Sequence, residues 1–304
     1  MKELYFNYSW SKVSDDRKAC VIREFLDNGV SHFVLTCDLL LRAVQEPDFL
    51  KRLQRTGKEM GVTFGAPHGL CDRPWDLNEP DERQRMLEAH KRALAICGDF
   101  GARTYTVHPG AYWHCTKHLE VPMLRENTIR SIEELLPVAE RNHIILSVEN
   151  SFEPTNSAKE VLTIVSHFGD HPWLGVTYDI GHANCMASAP WKVPEGYPDY
   201  QYQSWWQNGI ITEDGALDTL ASRVVTCHIH DNDGYRDLHG MPGDGCIDWN
   251  GLMPRLMACP KMTEYQTEVN YCDGENWAGK CLAPVGGYSV RRVVEVFRKL
   301  FGQA

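Results

Sequence analysis

Leu174-Gly175-Val176-Thr177-Tyr178-Asp179-Ile180-Gly181-His182 is the stretch from which the fold can be read. Its first six residues form a strand-like run, with β-branched and aromatic side chains, that ends on a carboxylate. An imidazole follows three residues later. Seven other short runs have the same look, at residues 4–8, 32–37, 62–66, 104–108, 144–149, 224–230 and 264–269. Helix-period segments separate them. Residues 14–28 offer Ser14 as an N-cap, apolar Val21, Ile22, Phe25 and Leu26, and Gly29 just beyond the end. Asn78 followed by Pro80 reads as the start of another, with Met86, Leu87, His90, Ala93, Leu94 and Cys97 at three- and four-residue spacing. Residues 128–141 and 290–301 keep the same period, although Pro137 interrupts the former late. Eight strand–helix alternations in 304 residues predict a closed (β/α)8 barrel, a single domain over residues 1–304. Residues 189–209 are the exception. They carry Trp191, Tyr197, Tyr200, Tyr202, Trp205 and Trp206 and are too long for a bare connection, so they read as an aromatic-rich insertion serving as a lid or binding loop.

Composition bounds the partners. There are 31 Lys and Arg against 41 Asp and Glu, a net charge of −10, which argues against a non-specific nucleic-acid binder. No run of about 18 apolar residues suggests a membrane span. The 11 cysteines are odd in number and form no Cys-x-x-Cys, and Cys20, Cys97 and Cys227 lie in apolar stretches. With no secretory pattern in the first ten residues, the expectation is a reduced, cytoplasmic protein.

In a barrel of this kind the C-terminal ends of the strands build the site. His68 and His108 fall at or just after the third and fourth strands, and Glu149 ends the fifth. Asp179 ends the sixth, with His182 three residues on. His228 and His230 end the seventh, and Glu268 lies near the end of the eighth. Asp237 and His239 follow in a loop closed by Pro242-Gly243-Asp244-Gly245, which reads as a turn. Any one of these has a plain structural reading, as a hydrogen-bonded histidine or half of an ion pair. Together they do not. Burying Glu149, Asp179 and Glu268 near one axis costs several kcal/mol per uncompensated charge, and a divalent cation is the simplest compensation. Carboxylate oxygens with imidazole suit Mn²⁺, Mg²⁺ or Co²⁺ and tolerate Zn²⁺; Mn²⁺ is the expected ion. Cys71 and Cys185, near the rim, read as packing residues.

The motifs Val107-His108-Pro109-Gly110, Ser147-Val148-Glu149-Asn150, Tyr178-Asp179-Ile180-Gly181-His182, Cys227-His228-Ile229-His230-Asp231, Pro242-Gly243-Asp244-Gly245-Cys246-Ile247-Asp248-Trp249 and Thr267-Glu268-Val269 are each weak alone. In this order they resemble the xylose-isomerase-like TIM-barrel superfamily of sugar isomerases, epimerases and apurinic endonucleases. Resemblance to the ketose 3-epimerase branch implies one metal held by Glu149, Asp179, His230 and Glu268. It also implies that His182 and Arg236, six residues past His230, meet substrate oxygens. Resemblance to the endonuclease branch implies three zinc ions on His68, His108, Glu149, Asp179, His182, His228, Asp237, His239 and Glu268. Residues two apart on a strand share a face, so spacing leaves open whether His228 or His230 is the principal ligand.

Chemistry weighs toward carbohydrate. Enzymes of DNA lesions need Arg and Lys on their rim loops, and residues 69–76 and 189–209 are not basic. Trp and Tyr there suit stacking on a sugar ring, although aromatic platforms also stack bases. Trp205-Trp206 reads equally as packing at an oligomer interface. The expectation is a divalent-metal-dependent carbohydrate isomerase or epimerase working by proton transfer through an enediolate, with Glu149 and Glu268 as the acid–base pair. His68, His108, His182, Arg236 and Trp113 are the candidate substrate contacts. Plain alternatives are loop packing for Trp113 and an ion pair to Asp231 or Asp233 for Arg236. Two other classes stay open: a multi-zinc hydrolase or lyase of phosphoesters or sugar-derived compounds, and a non-catalytic sugar binder. The expected partners are a small carbohydrate and further copies of the chain, not nucleic acid or a membrane. Residues 273–277 read as a substrate contact or as a solvated turn.

Overall fold

In the computed structural model eight strands run parallel around one axis: β1 (Glu3–Tyr5), β2 (His32–Val34), β3 (Thr63–Gly65), β4 (Thr104–Val107), β5 (Ile145–Glu149), β6 (Leu174–Asp179), β7 (Val224–Ile229) and β8 (Glu264–Thr267). The structure describes residues 2–110, 120–187, 212–272, 275–276, 279–280 and 282–302. Trp113, the insertion at 189–209 and the side chains of 273–277 therefore lie outside the described residues.

Six strands pair in the order β1-β8-β7-β6-β5-β4, and β2 pairs with β3. Single parallel bridges join the two sheets at both seams, Phe6 to Phe33 and His68 to Thr106. Backbone hydrogen bonds make each seam: Val34 N donates to Phe6 O at 3.0 Å, and Gly69 N to Thr106 O at 2.9 Å. The barrel is thus closed. All eight expected strands are present, but the ladders stop short of several expected ends. His108, His230 and Glu268 lie one residue beyond the ends of β4, β7 and β8, and His68 three beyond the end of β3, where it bridges to Thr106.

The outer layer consists of α1 (Asp15–Asp27), α2 (Cys37–Gln45), α3 (Pro47–Met60), α4 (Arg83–Asp99), α5 (Val121–Arg141), α6 (Ala158–His167), α7 (Ile180–Met186), α8 (Ala216–Leu220), α9 (Trp249–Met257) and α10 (Val290–Leu300). Ser14 stands at the N-cap of α1, and Gly29 beyond its end takes a positive φ of 75°, as the sequence suggested. The start of α4 differs. Asn78 is buried and far from the helix, which opens only at Arg83. Glu79 takes up the turn before it, its Oε1 accepting from the backbone N–H groups of Asp81 and Glu82. The helix α5 begins at Val121, seven residues before the expected start at 128, and runs through Pro137.

One continuous apolar cluster packs the helices on the outside of the strands. The lumen is different. Where barrels of this class are commonly filled by branched apolar side chains, Thr104, Thr106, Ser147, Thr177, Thr226, Glu264 and Gln266 are buried here. Thr106, Thr177 and Ser147 are joined hydroxyl to hydroxyl at 2.9 Å. Gln266 donates to Thr226, and Thr104 donates to Glu264. This hydrogen-bonded polar floor, in which Oε2 of Glu264 and Oε1 of Gln266 stay without a partner among the described residues, lies below the residues of the rim.

Candidate active site

Alternation along β5, β6, β7 and β8 carries Glu149, Asp179, His228 and Glu268 to one end of the barrel. One ligand atom from each lies within 4.8 Å of the other three. His228 Nδ1 is the hub: it stands 3.1 Å from Glu149 Oε1, 3.2 Å from Glu268 Oε2 and 3.6 Å from Asp179 Oδ2. The four are buried except for part of Glu268.

Three further donor groups adjoin this one; His68, His228 and Glu268 form one that overlaps it, and two others flank it. On the β3–β4 side, His68, His108 and Glu149 converge, with His108 Nε2 at 3.1 Å from Glu149 Oε2. On the other side, His182, His230, Asp237 and His239 converge. Asp237 Oδ2 lies 2.9 Å from His239 Nε2 and 3.4 Å from His182 Nε2. The rings of His230 and His239 are stacked at 4.1 Å between centroids.

The chain is shaped around these side chains. Asn150, which follows Glu149, stitches β5 to β6 by donating to Asp179 O and accepting from Asp179 N, each at 3.0 Å. Asp179 caps α7 through the backbone N–H of His182. Gly181 is required by contact: a Cβ there would stand 1.9 Å from Cε1 of His230. Asp231 plays no part in the donor groups. Its carboxylate ties down the following loop through Gly243 N and the Trp249 indole. The turn expected at 242–245 is present, with Asp244 N donating to Met241 O.

Charge follows from this crowding. Burial would raise the carboxyl of Glu149, but His228 and His108 hold it well below the usual range. Asp179 is likewise held well below its ordinary value by His182 and His230 against the effect of burial. The imidazoles answer in the opposite direction. Burial lowers His108, yet Glu149, Asp76 and Asp72 bring it up to about 9; burial lowers His239, yet Asp237 brings it up to about 10. His68 alone among the rim imidazoles is lowered, because burial outweighs its carboxylate neighbours. The protein alone therefore neutralises its carboxylates with protonated imidazoles.

The donors fit a divalent cation. Oε2 of Glu268 and Nδ1 of His230 are buried without a hydrogen-bond partner among the described residues. Buried polar atoms of that kind require an account, and a cation would take the place of the imidazole protons. Both histidines of the seventh strand approach the expected ligands: His230 Nε2 stands 3.2 Å from Asp179 and 3.9 Å from Glu268. His228, not His230, joins the three carboxylates as a group. His228 is on the strand and points inward beside Glu149; His230 is one residue past it, where its Nε2 meets Asp179 at 3.2 Å and its ring joins the Asp237 group.

His68, His108, Glu149, His182, Asp237, His239 and Glu268 line a cavity of about 460 Å³, within the range of small-molecule sites. Asp72, Asp76, Glu149, Glu153, Asp237 and Glu268 contribute to its wall, with no Lys or Arg among the described residues. Phe152 also lines it and stands edge-on to His182 at 5.1 Å. Sequence reasoning passed over Asp76, Phe152 and Glu153, because loop residues carry no periodic signal. Arg236 is held by Asp233, whose Oδ2 accepts from its Nε at 2.9 Å and its Nη2 at 2.8 Å, the ion-pair alternative of the sequence reading. Cys185 is buried, as expected of packing, whereas Cys71 lines the cavity.

Residues 27–271 match the family model described as xylose isomerase-like TIM barrel. The chain belongs to the xylose isomerase-like TIM barrel family. Within this family's sequence relatives, the chain is 25% identical over 202 residues to the protein MJ1311 of Methanocaldococcus jannaschii, covering 65% of this chain. That alignment spans 60% of MJ1311. Among solved structures, it resembles a D-tagatose 3-epimerase-like protein with a TM-score of 0.67 at 18% identity, over 100% of this chain and 97% of the other. It resembles the 3-keto-D-glucoside 4-epimerase YcjR of E. coli with the same TM-score of 0.67 at 16% identity, over 99% of this chain and 100% of that one. At such identities the likeness is one of xylose isomerase-like fold.

Proposed function

We propose that this protein is a divalent-metal-dependent carbohydrate isomerase or epimerase. The observation that carries the reading is the convergence of Glu149, Asp179, His228 and Glu268 within 4.8 Å of one another, with Glu149 and Glu268 reaching the wall of an acidic cavity. The names of the structural neighbours, both sugar epimerases or like them, support it. Mn²⁺ is the proposed ion, because three carboxylates and one imidazole are a hard, mixed donor set. Such an ion supplies Lewis-acid polarisation of a substrate carbonyl and its neighbouring hydroxyl.

The chain's residues do the rest. Glu149 and Glu268 take and return a proton at the carbon beside the carbonyl, one accepting it as carboxylate and the other donating as carboxylic acid. His182 and His108 orient substrate oxygens. A wall of six carboxylates with no described Lys or Arg favours a neutral polyol over a phosphodiester backbone.

A second reading rests on the two flanking donor groups, His68/His108/Glu149 and His182/His230/Asp237/His239. Filled with zinc as well, they would suit a hydrolase or lyase of a sugar-derived substrate. Incubation of the Mn²⁺-loaded protein in D₂O with a panel of ketoses and aldoses separates the two. Deuterium entering a C–H position supports proton transfer, whereas phosphate or another leaving group released without it supports hydrolysis.

A further inference from the structure

A second chamber of about 530 Å³ opens beside the acidic cavity. The two share His68, Cys71, Asp72 and Glu268 as a common wall. The chamber reaches the donor groups through His228 and Glu268, and runs from there over the ends of β1 and β2, strands that contribute nothing to those groups. Its lining adds hydroxyl and amide groups from Asn7, Ser9 and Thr36, the rings of Tyr8 and Trp75, which also pack on Tyr271 and under Arg85 respectively, and the cations Lys12 and Arg73. Lys12 makes no ion pair among the described residues, and Arg73 lies 3.7 Å from both Glu79 and Asp81.

Neither chamber alone explains why the rim is divided this way. A single sugar unit bound at Glu149 and Glu268 would leave much of the two adjoining chambers, about 460 and 530 Å³, unfilled. Aromatic faces beside hydroxyl and amide donors are the surface that a pyranose ring meets with its C–H face on one side and its hydroxyls at the edge. We infer that the substrate is longer than one sugar unit: its reacting ketose or aldose end lies against Glu149 and Glu268, and a second glycosyl unit lies in the chamber between Tyr8 and Trp75. The inference rests on the carbohydrate reading above and narrows it to glycosides and disaccharides.

The test compares D-fructose with three disaccharides that end in the same ketose, lactulose, turanose and isomaltulose, by titration calorimetry on the Mn²⁺-loaded protein. At least one disaccharide should bind ten-fold or more tightly than D-fructose. In Trp75→Ala, and separately in Lys12→Ala, that ratio should fall at least three-fold, with far-UV dichroism confirming that each variant is folded. D-Fructose binding as tightly as every disaccharide overturns the second glycosyl site and leaves the carbohydrate reading standing. Ratios unchanged in both variants overturn the placement in this chamber. No binding of any of the four sugars contradicts the carbohydrate reading and the inference with it.

Discussion

His228 Nδ1 lies 3.1 Å from Oε1 of Glu149, reaching from β7 past β6 to β5 at the end of the barrel. The contact ties the identity of the proposed metal ligand to register. One strand-end histidine meets the carboxylates, and the one two residues later meets the Asp237 group. His228→Asn should accordingly lower Mn²⁺ affinity more than His230→Asn, by at least about ten-fold, the scale separating loss of a ligand from loss of its support. Calorimetric titration with Mn²⁺ checks the order.

Glu149 belongs to two donor groups and to the proposed acid–base pair. Glu149→Gln keeps the volume and removes both the charge and the base. Turnover should fall by about 10²–10⁴, the usual worth of a positioned acid–base group, while far-UV dichroism stays unchanged. Deuterium exchange into substrate, followed by proton NMR, is the measurement.

Gly181 sits under the ring of His230 with no room for a methyl group. Gly181→Ala must push the ring away or shift the start of α7. Overpacking of this kind costs about 1–3 kcal/mol, and a urea titration should show a loss of that order.

The buried carboxyl of Glu264 gives a pH signature separate from the rim. Burial pushes it up to about 7 from 4.5, and its Oε1 accepts from the Thr104 hydroxyl at 2.6 Å. Below 4.5 the carboxyl is protonated in both folded and unfolded chains. Between 4.5 and about 7 the unfolded chain releases its proton while the folded chain retains it, so stability falls as pH rises and levels off above about 7. The effect is about 3 kcal/mol at one unit per 1.36 kcal/mol. Glu264→Gln cannot ionise, so in EDTA its stability relative to wild type should improve between pH 5 and pH 8. A constant difference in urea midpoint would contradict the assignment.

Much of the architecture was legible because it is periodic. The eight β-rich runs all became strands, and the rim could be listed because every polar strand end falls on one side of a parallel barrel. What escaped was decided by contacts that spacing does not encode. Parity places His228 and His230 on one face, but only the end of the β7 ladder separates them into two groups. Asn78 resembles an N-cap in sequence, yet the turn before α4 is made by the Glu79 carboxylate. Arg236 is taken up by Asp233, three residues before it. Beyond His68, His228 and Glu268, the second chamber left no signal, because its walls are drawn from five separate stretches of chain.

The central claim is that Glu149, Asp179, His228 and Glu268 hold one divalent cation between them. An anomalous difference map from crystals soaked in MnCl₂ tests it most directly. The account predicts a peak within coordination distance of all four side chains, absent from Asp179→Asn crystals treated alike. A map with manganese elsewhere, or with none at these residues, would contradict it.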